Sequence, residues 1–137
     1  MQFVKEWQGV RFYNDSKATN TLATKSALSS FEQPIHLIAG GLDREHSFES
    51  LRPYMKNVQS VAAIGETKKR FASFAKEENV PHVAEATTMR DAVEKVLAHV
   101  KPGEIVLLSP ACASWDEYKS FEERGNQFIE AVQQLTD

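Results

Sequence analysis

Val10-Arg11-Phe12-Tyr13-Asn14-Asp15-Ser16-Lys17-Ala18-Thr19-Asn20 carries the chain from a short alternating apolar run into a helical pattern. The run Val10 to Tyr13 reads as a strand, and the pattern beginning near Asn20 reads as a helix. A carboxylate, two hydroxyls, an ammonium and two amides therefore occupy a strand-to-helix turn. In α/β folds such turns lie at the carboxyl edge of the sheet, where ligands bind. The N–H groups that open the helix are unpaired and attract anions. Asp15 can hold a sugar hydroxyl, an arginine or a metal-bound water, and Lys17 can face a phosphate or carboxylate as a point charge. On spacing alone the favoured reading is more modest, because Asn, Asp, Ser and Thr before a helix are ordinary capping and turn residues.

Upstream, Phe3 to Trp7 reads as a second strand, with Gln8-Gly9 as the two-residue turn of a hairpin. Downstream, Leu22, Ala23, Ser26, Ala27 and Ser30 recur at helical spacing, which predicts a helix over about residues 20–30. Pro34 ends it. Ile35 to Ala39 is apolar except for His36, as an interior strand of a parallel sheet must be, and His36 reads as structural. Gly40-Gly41-Leu42-Asp43-Arg44 follows directly, and taken alone is a tight connection. Ser47 is placed to cap a helix running to Met55, which Pro53 strains.

Val61 to Ile64 is the next strand. Thr67 is expected to cap a helix with Phe71, Phe74 and Ala75 inward, and Lys68-Lys69-Arg70 to form a solvated face. His82 to Ala84 is a brief strand. Thr88 opens a helix whose apolar stripe runs from Met89 to Val100, closed by Lys101-Pro102-Gly103. Ile105 to Leu108 delivers Ser109 to Ser114 to the sheet edge, where Cys112 reads as a small buried residue. A last helix is predicted from about Glu117 to Leu135, with Phe121, Gly125, Phe128, Ile129, Val132 and Leu135 inward. Gly125 inside it implies close packing.

A hairpin followed by alternating helices and strands specifies an α/β fold: a three-layer, Rossmann-like, mostly parallel sheet, one domain over residues 1–137. Three ligand-competent turns end three of its strands on one edge. The net charge of -3 gives no reason to expect a nucleic-acid partner. No apolar run approaches the roughly 20 residues of a membrane span. The single cysteine fits a reducing, cytoplasmic setting, and no Cys/His cluster has zinc-site spacing.

Asn14-Asp15-Ser16-Lys17-Ala18-Thr19-Asn20 resembles the signature that opens the C-terminal domain of the D-glutamate-adding Mur ligases. Two further stretches are similar and in order: Gly40-Gly41-Leu42-Asp43-Arg44, and Leu108 to Asp116 running on to Phe121-Glu122-Glu123-Arg124-Gly125. The resemblance spans essentially the whole chain. It implies the C-terminal amino-acid-binding domain of an ATP-dependent, ADP-forming ligase of peptidoglycan precursor synthesis. Such an enzyme activates the carboxylate of UDP-N-acetylmuramoyl-L-alanine as an acyl phosphate. D-Glutamate then attacks it.

By the same resemblance Thr19 and Arg44 bind one carboxylate of D-glutamate. Ser114 and the backbone around Phe121 bind the other, and Trp115 lines the pocket. Asp15, Lys17 and Asn20 face the nucleotide and phosphates, with Ser16 shaping the loop. Arg44 stands where lysine is common, Trp115 where a smaller apolar residue is familiar, and Glu45-His46 replaces small residues. No Gly-Lys-[Ser/Thr] phosphate loop is present. ATP and Mg2+ are therefore expected to be held by absent N-terminal and central domains, leaving no metal site here and an isolated domain that is a monomer without activity. The alternatives are a stand-alone ligand-binding module without catalysis and a sister ligase of the folylpolyglutamate type. A phosphoacceptor receiver is disfavoured because Ile35–Ala39 and Val61–Ile64 end in Gly-Gly and Gly-Glu rather than in an aspartate.

Overall fold

Gln8 and Gly9 both take positive φ, 51° and 79°, the backbone of a two-residue turn whose twist matches its flanking strands. They join β1 (Gln2–Trp7) to β2 (Val10–Asn14) as an antiparallel hairpin in a computed structural model that describes all of residues 1–137. There follow α1 (Thr21–Ser29), β3 (Ile35–Ala39), a 3-10 helix (Glu49–Tyr54), β4 (Val58–Ala63), α2 (Lys68–Glu77), β5 (His82–Glu85), α3 (Met89–Leu97), β6 (Ile105–Leu108) and α4 (Phe121–Leu135). The sheet order is β1-β2-β6-β3-β4-β5, and every pair beyond the hairpin is parallel.

The last strand, β6, is thus inserted between β2 and β3. Leu107 pairs with Tyr13 on one side and Leu37 on the other. β3 and β6 are buried along their whole length, which is why they read as continuous apolar runs. Alternate residues feed two cores. Leu37, Leu107, Leu28, Leu51, Phe71 and Phe74 fill the layer under α1 and α2. Ile38, Val106, Phe12, Val93, Phe128 and Val132 fill the layer under α3 and α4.

His36 is structural, its Nδ1 2.6 Å from the Ser60 hydroxyl and its Nε2 2.7 Å from Glu104. Gly125 packs closely as expected, since a Cβ there would stand 2.7 Å from Asn14 Nδ2. Asn20 and Thr88 cap α1 and α3, accepting from the N–H groups of Ala23 and Asp91.

Other boundaries differ from the sequence reading. The segment Ser47 to Met55 is not an α-helix but the short 3-10 helix, because Pro53 has no N–H to donate. Phe48, Leu51 and Met55 are buried all the same. Thr67 does not cap α2 with its side chain; its hydroxyl accepts the Gly41 N–H at 3.1 Å instead. β4 begins at Val58 rather than Val61, and α3 stops at Leu97, before Val100. α4 begins at Phe121 rather than Glu117, because the N–H groups of Glu117 and Tyr118 both turn back to the Ser114 carbonyl and Ser120 caps the helix. Phe121 itself is 39% exposed rather than inward.

Candidate functional site

Since β2, β6 and β3 are neighbours, the loops after them are neighbours too. Backbone hydrogen bonds bind them together. The Asp15 N–H donates to the Leu108 carbonyl at 2.7 Å, the Gly40 N–H to Pro110 at 2.9 Å and the Leu42 N–H to Ala113 at 2.9 Å. Gly40 has φ 119°, and a side chain there would collide with the Ile64 carbonyl. Gly41 is what allows the second loop to lie this close to the third, since a Cβ there would stand 2.5 Å from the Ala113 carbonyl.

The loops enclose a cleft of about 400 Å³ that gathers Thr19, Arg44, Ser114, Trp115, Phe121 and Glu122. All five residues assigned to the amino acid from sequence therefore meet in one place. No hydrogen bond within the protein engages the hydroxyls of Thr19 or Ser114, and Arg44 makes neither a hydrogen bond nor an ion pair. Its guanidinium carbon lies 5.2 Å from the centroid of the Trp115 ring. At the start of α4 the Glu123 N–H is taken by the Ser120 hydroxyl at 3.1 Å, which leaves the N–H groups of Phe121 and Glu122 without an intrahelical acceptor, and Ser120, Phe121 and Glu122 border the cleft.

Asp15, Lys17 and Asn20 divide differently. Asp15 and Lys17 line a separate hollow of about 380 Å³ that runs along the small side chains of Ala18, Ala23, Ser26 and Ala27. Asp15 is buried and accepts the Ser109 hydroxyl at 3.0 Å; burial raises its carboxyl above the ordinary range, against the opposing hydrogen bond from Ser109. Lys17 is exposed and has no carboxylate partner within 4 Å. Asn20 is occupied by capping, its side-chain oxygen 2.9 Å from the Ala23 nitrogen. No group of three or more His, Cys, Asp or Glu side chains converges anywhere.

Two arginines were missed in the sequence. Arg70, in the run read as a solvated face, donates to Asp43 at 3.0 Å and to the His46 carbonyl at 2.9 Å, bracing the loop that carries Arg44. The Asp43 carboxyl is held below its ordinary range by the Glu45 N–H first and by Arg70 second. Arg124 is only 1% exposed. Its Nε–H donates to Ser16 Oγ at 2.9 Å and its Nη2–H to the Ser16 carbonyl at 2.7 Å, while the Ser16 hydroxyl donates to the Phe121 carbonyl at 2.7 Å. Its Nη1 has no partner, and it lies against Gly41. Burial lowers the guanidinium to about 10, still cationic at neutral pH. The signal was there: Arg124 is four residues before Phe128 and eight before Val132, on the inner face of α4.

Cys112 does have a nearby imidazole, with His46 Nε2 at 3.5 Å. That nitrogen also lies 3.1 Å from the Ala111 carbonyl, so it carries the proton and is no base. Burial pushes the thiol up to about 11. Cys112 is a packed residue rather than a nucleophile.

Residues 1–112 match the family described as "Mur ligase, glutamate ligase domain". The chain belongs to the Mur ligase family. Among curated relatives, the UDP-N-acetylmuramoylalanine--D-glutamate ligase of Shouchella clausii is 54% identical over 132 residues, 96% of this chain and 29% of that protein. The enzyme of the same name from Latilactobacillus sakei is 52% identical over 138 residues, 100% of this chain and 30% of its own length. That from Bacillus subtilis is 48% identical over 135 residues, 98% and 30% respectively. The chain thus spans about 30% of the length of the relatives it matches. A solved domain assigned to a UDP-N-acetylmuramate:L-alanyl-gamma-D-glutamyl-diaminopimelate ligase from Haemophilus ducreyi superposes with a TM-score of 0.61 at 13% identity, covering 96% of this chain and 98% of that one, which shows the shared Mur ligase fold.

Proposed function

We propose that these residues form the C-terminal, amino-acid-binding domain of a three-domain cytoplasmic ligase that joins D-glutamate to UDP-N-acetylmuramoyl-L-alanine. The observation that carries this reading is the set of unengaged polar groups around one cleft. Thr19 and Ser114 offer free hydroxyls, Arg44 an unpaired guanidinium, and the first turn of α4 the free N–H groups of Phe121 and Glu122. A dicarboxylate amino acid needs two such anchor points to aim its amine.

ATP, with Mg2+, supplies the phosphoryl group that turns an unreactive carboxylate into an acyl phosphate. Arg44 and Thr19 hold one carboxylate of the incoming amino acid; Ser114 and the start of α4 hold the other. Two fixed ends leave the amine one direction to point, which is catalysis by positioning. Lys17, exposed and unpaired beside Asp15, screens the phosphate side as a point charge. The other domains hold the remainder of the nucleotide and the metal.

Thr19→Ala and Ser114→Ala in the complete ligase each raise KM for D-glutamate by about tenfold, the loss of one hydrogen bond to a charged group, with KM for ATP kept. Steady-state kinetics with each substrate varied tests this. Unchanged D-glutamate kinetics in both variants would remove the assignment.

A further inference from the structure

Arg44 and Trp115 come from different loops, after β3 and β6. Trp115 is 65% exposed and belongs to neither core, so packing does not explain a large ring at this place. The Arg44 guanidinium carbon lies 5.2 Å from the ring centroid, and the group makes no hydrogen bond or ion pair within the protein.

The geometry of the contact has a chemical consequence. A guanidinium resting on an aromatic ring presents its flat face to the π-system. Its N–H groups lie in the plane, so the edge stays free to fork onto a carboxylate. An ammonium has no such edge. An unsupported arginine would also have to give up its rotamer freedom when it captured a ligand.

We propose that Trp115 is a positioning residue for Arg44: its ring holds the guanidinium over the cleft, edge-on to an incoming carboxylate. The pair, rather than Arg44 alone, sets how tightly a dicarboxylate amino acid is held. This rests on the reading of the cleft given above.

The test is a double-mutant cycle in the complete ligase, using Arg44→Ala, Trp115→Leu and the double variant, with Trp115→Phe alongside. Both side chains are exposed, so the variants keep the fold, and circular dichroism checks it. Trp115→Leu raises KM for D-glutamate by about two- to fivefold, the size of an exposed cation–π contact, at unchanged kcat. Trp115→Phe keeps a ring and recovers most of the loss. The double variant is no worse than Arg44→Ala alone. If the two single effects simply multiply in the double variant, or Trp115→Phe behaves as Trp115→Leu does, the pairing is wrong. Arg44→Ala separates this from the underlying reading. An unchanged KM there removes Arg44 from the cleft's chemistry, and the pairing with it. A raised KM with a multiplicative cycle removes the pairing only.

Discussion

A guanidinium buried to 1% exposure without a carboxylate is an expensive thing for a fold to contain, and Arg124 is one. Desolvation is the first cause of its lowered pKa. Its return is geometric: two N–H groups grip Ser16, whose hydroxyl in turn holds the carbonyl of Phe121. One side chain thereby fixes the first loop against the start of α4. This gives an ordering of substitutions that runs against chemical similarity. Arg124→Lys keeps the charge, buries a more strongly hydrated ion and loses the fork. Arg124→Met leaves Ser16 without its donors, about 1–3 kcal/mol, but buries no charge. Lys is therefore the more destabilising of the two in urea denaturation. On the function proposed above, both variants also raise KM for D-glutamate in the complete ligase, because Ser16 no longer ties the first loop to Phe121. A Lys variant more stable than the Met variant would show that the charge itself, rather than the fork, is what the site needs.

At the scale of elements, the strands and most helices were legible because local pattern and tertiary demand agree. Ile35 to Ala39 is apolar because it is covered on both faces, and Gln8-Gly9 turns because both residues accept positive φ. The misreadings have two causes. Thr67, Glu117 and Ser47 have the right local chemistry for helix starts, but Thr67 is claimed by Gly41, Glu117 by Ser114, and the segment after Ser47 holds Pro53. Gly41 is a partner distant in sequence that no local window contains, whereas Ser114 and Pro53 are local features that compete with the helix signal and win. Gly125 lies between the two cases. Helix propensity favours alanine there by about 1 kcal/mol, yet a Cβ would press on the Asn14 amide, which Ser16 N–H holds at 3.0 Å. Gly125→Ala therefore lowers stability by about 1 kcal/mol or more. In an Asn14→Ala background, where the obstacle is gone, the same substitution costs less or stabilises. Equal effects in both backgrounds, read from urea midpoints, would mean that Asn14 moves aside freely.

Over the whole molecule, the sheet separates two chemistries. The three motif loops occupy the carboxyl ends of β2, β6 and β3, and sequence could name them but not their adjacency, which depends on β6 inserting between the other two. At the opposite edge, the rings of His82 and His99 stack with centroids 3.8 Å apart, beside Ser60 and Lys95. The His99 imidazole lies below its ordinary range, from burial first, then His82, then His36. Of the neighbouring charges, Lys95 is paired with Asp91 at 3.1 Å and His36 lies 2.7 Å from Glu104. The sign follows from linkage. A base harder to protonate when folded leaves the unfolded chain holding more protons in acid. Stability is therefore full above the unfolded imidazole value of about 6.5 and falls as pH drops below it. Asp15 acts in the opposite sense, since its raised carboxyl favours the protonated folded state and loses stability as pH rises. Comparison with His99→Phe, which keeps a ring on His82 without the second charge, isolates the imidazole. Between about pH 7.5 and 5.5, either side of the imidazole value, the urea midpoint of the wild-type chain falls and that of His99→Phe falls less. An identical fall in both would place the acid sensitivity away from the stacked pair.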